Sequence, residues 1–90
     1  MKRRPKDIGT DAERAVERFL IANGWPSAEK RRQRGRFDEG DITGTPGICW
    51  EVKGGEQARS ASDKLIGEWL EETETERVNA GADVGVLVVQ

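Results

Sequence analysis

Residues 48–53 of the chain read Ile-Cys-Trp-Glu-Val-Lys, an apolar run that contains one acid and one base. A β-strand points successive side chains to opposite faces, so Trp50 and Val52 would share one face and Glu51 and Lys53 the other. The apolar face would anchor the strand in a core. Charged groups on the other face are costly to bury unless they are paired or bound. The stretch therefore predicts a core strand that carries a site for a metal ion and a phosphate.

A shorter stretch, Asp-Ile-Thr at 41–43, precedes this strand and is separated from it by a Gly-Thr-Pro-Gly turn. The two stretches are expected to form a hairpin. An odd number of loop residues would put Asp41 on the same face as Glu51, and an even number would put it on the opposite face. A three-residue loop would place Asp41 directly across from Glu51, with Gly47 in the left-handed conformation.

The length of 90 residues suits one small domain, which we expect to span residues 1–90. Apolar residues make up 34 % of the chain and charged residues 36 %, and with three Trp the chain is too apolar to be wholly disordered. The single Cys excludes an internal disulfide. The absence of His excludes His-based zinc sites and Ser-His or Cys-His nucleophiles. Any catalysis must therefore use carboxylates, Lys or Arg, with a hard metal ion.

The N-terminal residues 1–9 are predicted to form a flexible basic arm, and no apolar signal segment follows them. The longest apolar run, residues 86–89, is far too short to span a bilayer. A cytoplasmic protein without membrane contact is expected. The net charge is −2, but residues 1–36 carry 11 Lys or Arg against 5 Asp or Glu. This basic half keeps a polyanionic partner such as DNA under consideration.

The first helix is predicted to begin at Thr10, because Thr10 as N-cap and Glu13 three residues later match a capping box. Asn23-Gly24 would end this helix. Its apolar positions recur at helical spacing and comprise Ala12, Ala15, Val16, Phe19 and Leu20.

A second helix is predicted from residue 62 to residue 80, with Gly81 at its C-terminal cap. Its inward positions would be Leu65, Ile66, Trp69 and Leu70. Its acids would form a solvated outer face of Glu68, Glu71, Glu72, Glu74 and Glu76.

The remaining strands complete the predicted fold. Residues 84–89 are β-branched and apolar, as in a strand covered on both faces. Residues 27–36 are expected to contain a solvated edge strand that leads into a loop. The order of elements predicts an α/β domain with a mixed sheet of about four strands flanked by two helices.

The acids and the base of the hairpin suit Mg²⁺, with Mn²⁺ as a substitute, because these ions prefer carboxylate and carbonyl oxygens. Asp41 and Glu51 would supply two ligands, and the backbone carbonyl of Val52 a third. The metal would activate a water and polarise a phosphoryl oxygen, while Lys53 would hold the water or neutralise the growing charge. The alternative is a structural cross-strand acid pair bridged by Lys53.

Other charged residues have two interpretations each. Glu13 would either complete the capping box or reach the metal through water, and the local sequence favours neither role. Asp38 is a rival to Asp41 but is expected to be a solvated loop acid. A dense basic cluster forms either a solvated face or a set of phosphate contacts. This cluster comprises Lys30, Arg31, Arg32, Arg34 and Arg36.

The order of these features resembles the PD-(D/E)xK nuclease superfamily. Glu13 lies on the first helix, Gly40-Asp41-Ile42 on one strand and Glu51-Val52-Lys53 on the next. Within the superfamily, the chain is most similar to small Holliday-junction resolvases of the archaeal type and to resolvase-like nucleases of phages. The likeness covers about residues 8–90, and Gly40 stands where the motif has Pro.

This resemblance implies a restriction-endonuclease-like core and a homodimeric, Mg²⁺-dependent endonuclease that cuts branched DNA in the cytoplasm of a bacterium, an archaeon or a phage-infected host. Asp41 and Glu51 would hold the metal, Lys53 would be the catalytic lysine and Glu13 the helix-borne acid. Arg31 to Arg36 would hold DNA. The alternatives are a nuclease of the same core that acts on linear or nicked DNA, and a non-catalytic DNA-binding module.

Overall fold

The computed structural model describes the backbone of residues 5–31 and 39–90 and the side chains of 11–31 and 39–90. Its elements are α1 (Pro5–Ala22), β1 (Glu29–Lys30), β2 (Ile42–Thr43), β3 (Ile48–Lys53), α2 (Glu56–Arg59), α3 (Asp63–Ala80) and β4 (Val84–Val89). The sheet order is β1-β2-β3-β4, antiparallel up to β3 and parallel between β3 and β4. The predicted α/β class with a mixed four-stranded sheet is confirmed, but the prediction of two helices is wrong, because the short helix α2 follows Gly54-Gly55. None of the helices described is long and apolar enough to cross a membrane.

The helix α1 begins earlier than the sequence predicts. It starts at Pro5 rather than Thr10, so residues 5–9 are helical and do not belong to a flexible arm. Proline suits the first helical position, because its missing N–H would have no partner there. Thr10 is therefore not an N-cap, and the capping interpretation of Glu13 is wrong. Residues 1–4 of the predicted arm lie outside the described residues.

One stripe of α1 packs on the sheet. Buried side chains recur every fourth residue along the helix and form a core with two strand residues. This core comprises Ala12, Val16, Leu20, Ile42 and Val52, together with Ala28 just before β1. Ala15 and Phe19, predicted to face inward, are exposed, and Phe19 keeps 64 % of its accessible surface. The described part of the chain therefore buries one stripe of this helix.

The β2–β3 hairpin has the predicted register. Ile42 pairs with Trp50, which puts position 41 across from position 51. The N–H of Ile48 donates to the carbonyl of Thr45 at 3.1 Å, and Gly47 has a φ of 84°. The three-residue loop and its left-handed glycine are therefore confirmed.

The ends of α3 also agree with the sequence. The Ser62 side chain accepts a hydrogen bond from the N–H of Leu65, and Gly81 adopts the left-handed conformation. The predicted faces of the helix are partly wrong, because Leu70 is 53 % exposed and Glu76 only 1 %. The helix instead turns a stripe through Trp69, Thr73 and Glu76 toward the sheet.

The two outer strands differ from each other. β4 forms one edge of the sheet, and its terminal residues Val84 and Val89 are 52 % and 40 % exposed. The prediction that both of its faces are covered is confirmed only in part, because α3 packs on one face and Val88 packs against the α1 core on the other, while the strand ends stay exposed. At the other edge, β1 is the short strand expected within residues 27–36, of which 32–36 lie outside the described residues.

Candidate active site

Asp41 lies against β3 at the entrance of the hairpin. Its N–H donates to the carbonyl of Trp50 at 2.7 Å, and its Oδ2 accepts from the N–H of Val52 at 2.8 Å. Its carboxylate is within hydrogen-bonding reach of both Glu13 and Glu51. Asp41 therefore lies next to each of the two carboxylates that the sequence predicts to act with it.

Gly40 allows this close approach of Asp41 to β3. Its φ is 98°, a value that proline cannot adopt. A Cβ atom at this position would lie 2.8 Å from the Sγ of Cys49 and 2.8 Å from the carbonyl oxygen of Trp50. Glycine is thus a requirement of this chain at position 40.

Glu51 is the buried carboxylate of the predicted hairpin site and is 5 % exposed. Burial, together with the neighbouring carboxyl groups of Glu76 and Asp41, raises the pKa of Glu51 from 4.5 to about 10. Its Oε1 lies 3.4 Å from Nζ of Lys53. Its Oε2 is buried and accepts no hydrogen bond from the part of the chain that the structure describes. The site therefore holds a carboxylate that favours a proton or a cation.

Lys53 links β3 to α3. Its Nζ lies 3.2 Å from Oε2 of Glu72 and 5.6 Å from the centroid of the Trp69 ring. Burial lowers the pKa of Lys53, but the charges of Glu51 and Glu72 outweigh it, and the net effect raises the pKa above 10.5. Lys53 is consequently a cation at neutral pH.

Glu13 reaches the site from α1. Burial and then the charge of Asp41 raise the pKa of Glu13 from 4.5 to about 7, and Lys30 opposes this rise. The Nζ of Lys30 lies 3.8 Å from Oε1 of Glu13. Because Glu13 lies inside α1, its side chain is available to the cluster rather than to the helix end.

The sequence-based prediction missed two acids of α3. One carboxylate oxygen from each of Glu51, Glu72 and Glu76 lies within 4.8 Å of the other two, and these carboxylates could hold a metal ion. The signal was present in the sequence, since Glu76 follows Trp69 by seven residues and so shares its helix face. The surrounding acids concealed it, because they are typical of a solvated face.

The predicted DNA-binding cluster is only partly described. Lys30 is turned toward Glu13, and its N–H donates to the Glu17 carboxylate. Arg31 lines a groove of about 290 Å³ between the β2–β3 turn and the end of α3, and none of the clustered carboxylates lines this groove. Outside the described residues lie Arg32, Arg34, Arg36 and Asp38, the rival of Asp41.

Comparison with known proteins adds no relative. No model of a protein family, no curated protein and no solved structure matches this chain. A functional assignment therefore depends on the chemistry of the site itself.

Proposed function

We propose that this protein is a metal-dependent DNA endonuclease with a restriction-endonuclease-like core. The observation that carries the proposal is the position of Asp41, whose Oδ2 is 2.8 Å from the backbone N of Val52 and whose carboxylate reaches Glu13 and Glu51. Lys53 stands beside them, 3.4 Å from Glu51. Carboxylates next to one ammonium group are a set suited to phosphodiester hydrolysis without His.

The electrostatics of the cluster favour a divalent cation. Carboxylates this close repel one another, and either a proton or a cation must offset the repulsion. Burial first, and then the neighbouring carboxyl groups, raise the pKa of Glu51 to about 10 and that of Glu13 to about 7. The atoms that could coordinate a metal are all oxygens. The Oε2 of Glu51 is buried and accepts no hydrogen bond from the described part of the chain. This donor set fits Mg²⁺ or Mn²⁺.

Asp41, Glu51 and the Val52 carbonyl would hold the ion, with Glu13 in contact through water. The N–H of Val52 already faces Asp41, and the carbonyl of a strand residue points to the same side as its N–H. A bound ion would polarise the phosphoryl oxygen and lower the pKa of an attacking water. Asp41 and Glu51 would position the phosphate by fixing the place of the ion.

Lys53 would stabilise charge rather than accept a proton. Its raised pKa keeps the ammonium group protonated at neutral pH, so it cannot act as a general base there. Its Nζ is shared between Glu51 and the half-exposed Glu72, at 3.4 and 3.2 Å. A phosphate at the site would replace Glu72 as the partner of Lys53. The ammonium group would then stabilise the negative charge that grows on the phosphate.

DNA is the proposed substrate, with branched DNA preferred and a homodimer as the active form. The backbone of Arg31 adjoins the site, because its N–H donates to the carbonyl of Asp41 at 2.7 Å. Arg31 and the basic residues that follow it would contact phosphates without reading base sequence. Two copies of the chain would supply the two cuts needed to resolve a junction.

A cleavage assay tests the proposal. Wild-type protein, Asp41→Asn and Lys53→Ala are incubated with a four-way junction or a matched linear duplex, with Mg²⁺ or with a chelator. Both variants should lose about a hundredfold or more of the Mg²⁺-dependent rate while DNA binding persists. Lys64→Ala and Glu71→Gln, which alter exposed residues of α3, serve as controls and should cleave normally.

Each result has a definite meaning. Cleavage that survives both substitutions contradicts the assigned site. Equal cutting of junction and linear duplex removes the preference for branched DNA but retains the nuclease. Binding without cleavage under any metal condition supports the non-catalytic module instead.

A further inference from the structure

The helix α3 presents two carboxylates to the polar face of β3. Glu72 and Glu76 are four residues apart and therefore lie on the same side of the helix, one turn from each other. An oxygen from each comes within 4.8 Å of an oxygen of Glu51. Glu76 is 1 % exposed, whereas the Glu72 side chain is 42 % exposed, so this cluster runs from the interior to the surface.

Packing does not explain these acids. The face that α3 turns to the sheet also carries Trp69 and Thr73, both buried, and an apolar residue at position 76 would continue it at lower cost. Instead Glu76 lies within hydrogen-bonding reach of Glu51. The sequence alone would allow a solvated acid at position 76. The inward placement of Glu76 therefore results from how α3 packs on the sheet.

A second observation points to a ligand. Glu51 is 5 % exposed, and its Oε2 is buried without a hydrogen-bond donor in the described part of the chain. The other oxygen of the same carboxylate, Oε1, already faces Lys53 at 3.4 Å. A buried carboxylate oxygen surrounded by other carboxylates is suited to coordinate a cation.

We propose that Glu51, Glu72 and Glu76 form a cation subsite between β3 and α3 that takes a hard divalent ion such as Mn²⁺ or Mg²⁺. It is distinct from the site assigned to Asp41 and the Val52 carbonyl, and Glu51 borders both. The subsite does not require nuclease activity. Its half-exposed member, Glu72, is the point at which the ion enters from solvent.

Direct binding of Mn²⁺ to the full chain tests this subsite without DNA. Calorimetry and the electron paramagnetic resonance of free Mn²⁺ would give stoichiometry and affinity. Glu72→Gln should weaken binding at one subsite by at least about tenfold, in line with the loss of a charged ligand. Glu71→Gln is the matched control, because it removes the same charge from an exposed neighbour on the same helix.

Terbium luminescence supplies a local readout. Tb³⁺ prefers the same oxygen ligands, and an indole nearby can excite its emission. Trp69 lies 5.6 Å from the Nζ of Lys53, which itself lies 3.2 Å from Glu72. Emission excited through tryptophan should appear with the wild type and Glu71→Gln, and should fall strongly with Trp69→Phe and Glu72→Gln.

The outcomes separate this inference from the proposed nuclease. If Glu72→Gln and Glu71→Gln bind Mn²⁺ alike, and both retain Tb³⁺ emission, the subsite does not exist, whatever the cleavage assay shows. If Asp41→Asn cleaves DNA normally while Glu72→Gln loses Mn²⁺, the nuclease assignment fails and the subsite remains. Circular dichroism of Glu72→Gln, whose altered residue is half-exposed, confirms that loss of binding is not loss of fold.

Discussion

The two faces of β3 have opposite physical characters although they alternate along the same six residues. On the face toward α1, Val52 is buried among apolar side chains from that helix and from Ile42. On the face toward α3, Glu51 meets Glu76, and Lys53 meets Glu72. The first face, the apolar face, gains stability by removing hydrocarbon from water. The second, the charged face, concentrates groups that cost free energy to bury.

Strand parity therefore separates the residues that stabilise the fold from the residues of the proposed site in a very small protein. A chain of 90 residues has little apolar surface to spare, so every buried acid weakens an already limited core. Buried carboxylates are explained if a ligand offsets their repulsion. Substitutions that act on one face alone test this difference between the two faces of β3.

The largest stability effect is expected on the apolar face. Ile42→Ala should reduce the free energy of unfolding by about 2–5 kcal/mol, because Ile42 is 1 % exposed and its loss leaves a cavity. Ile21→Ala on α1, where the side chain is 46 % exposed, should change it by less than about 0.5 kcal/mol. Urea denaturation measures both. Equal effects of the two substitutions would contradict the assigned core.

Substitution of the buried acid on the charged face should increase the free energy of unfolding rather than reduce it. Glu51→Gln should stabilise the metal-free protein at pH 8 by about 1 kcal/mol or more, since one pKa unit corresponds to about 1.4 kcal/mol. The reason is that Glu51 has to take up a proton on folding at this pH, whereas the amide is neutral in both the folded and the unfolded state. Urea denaturation in a chelator measures the effect, and a destabilised Glu51→Gln would show that the carboxylate supports the fold.

The pH dependence follows from the same group. The folded protein holds a proton on Glu51 up to a pKa of about 10, whereas the unfolded chain releases it near 4.5. The folded state therefore binds more protons in this range, and stability is lost as the pH rises from 4.5 toward 10. Glu13 adds a loss between 4.5 and about 7. Thermal melts in a chelator should show a flatter profile for Glu51→Gln than for the wild type.

The two faces of β3 also differ in how much of their structure could be predicted from the sequence. The hairpin register was accessible because parity and loop length fix it, and the pairing of Ile42 with Trp50 confirms the prediction. The closeness of Asp41 to Glu51 followed from that register. The resemblance to PD-(D/E)xK nucleases is a separate prediction, and its test is the cleavage assay.

The role of α3 was not accessible in the same way. An acid-rich helix is typical of a solvated surface, and the seven-residue spacing from Trp69 is the one local sign that distinguishes Glu76 from Glu74. What buries Glu76 is the parallel strand pairing that brings α3 over the polar face of β3, a long-range effect. The prediction for Phe19 was wrong in the opposite direction. Its helical spacing suggests an inward position, but its side chain is exposed.

A moderate effect is expected where α3 begins. Ser62→Ala should reduce the free energy of unfolding by about 1 kcal/mol, because the Ser62 hydroxyl accepts a hydrogen bond from the N–H of Leu65 at 3.1 Å. Ser62→Asp can still accept this bond and should restore most of the loss. Thermal denaturation of the three proteins measures it. If Asp fails to rescue, the capping role of Ser62 is wrong.

The smallest effect on stability is expected for Glu72→Gln. Glu72 is half-exposed, and its ion pair with Lys53 at 3.2 Å is of the kind that contributes about 1 kcal/mol or less. Urea denaturation in a chelator should therefore barely distinguish this variant from the wild type. The same substitution should weaken Mn²⁺ binding at least about tenfold, in line with the loss of a charged ligand. A large loss of stability without a loss of cation binding would instead make Glu72 a structural partner of Lys53, and the charged face would then serve the fold as the apolar face does.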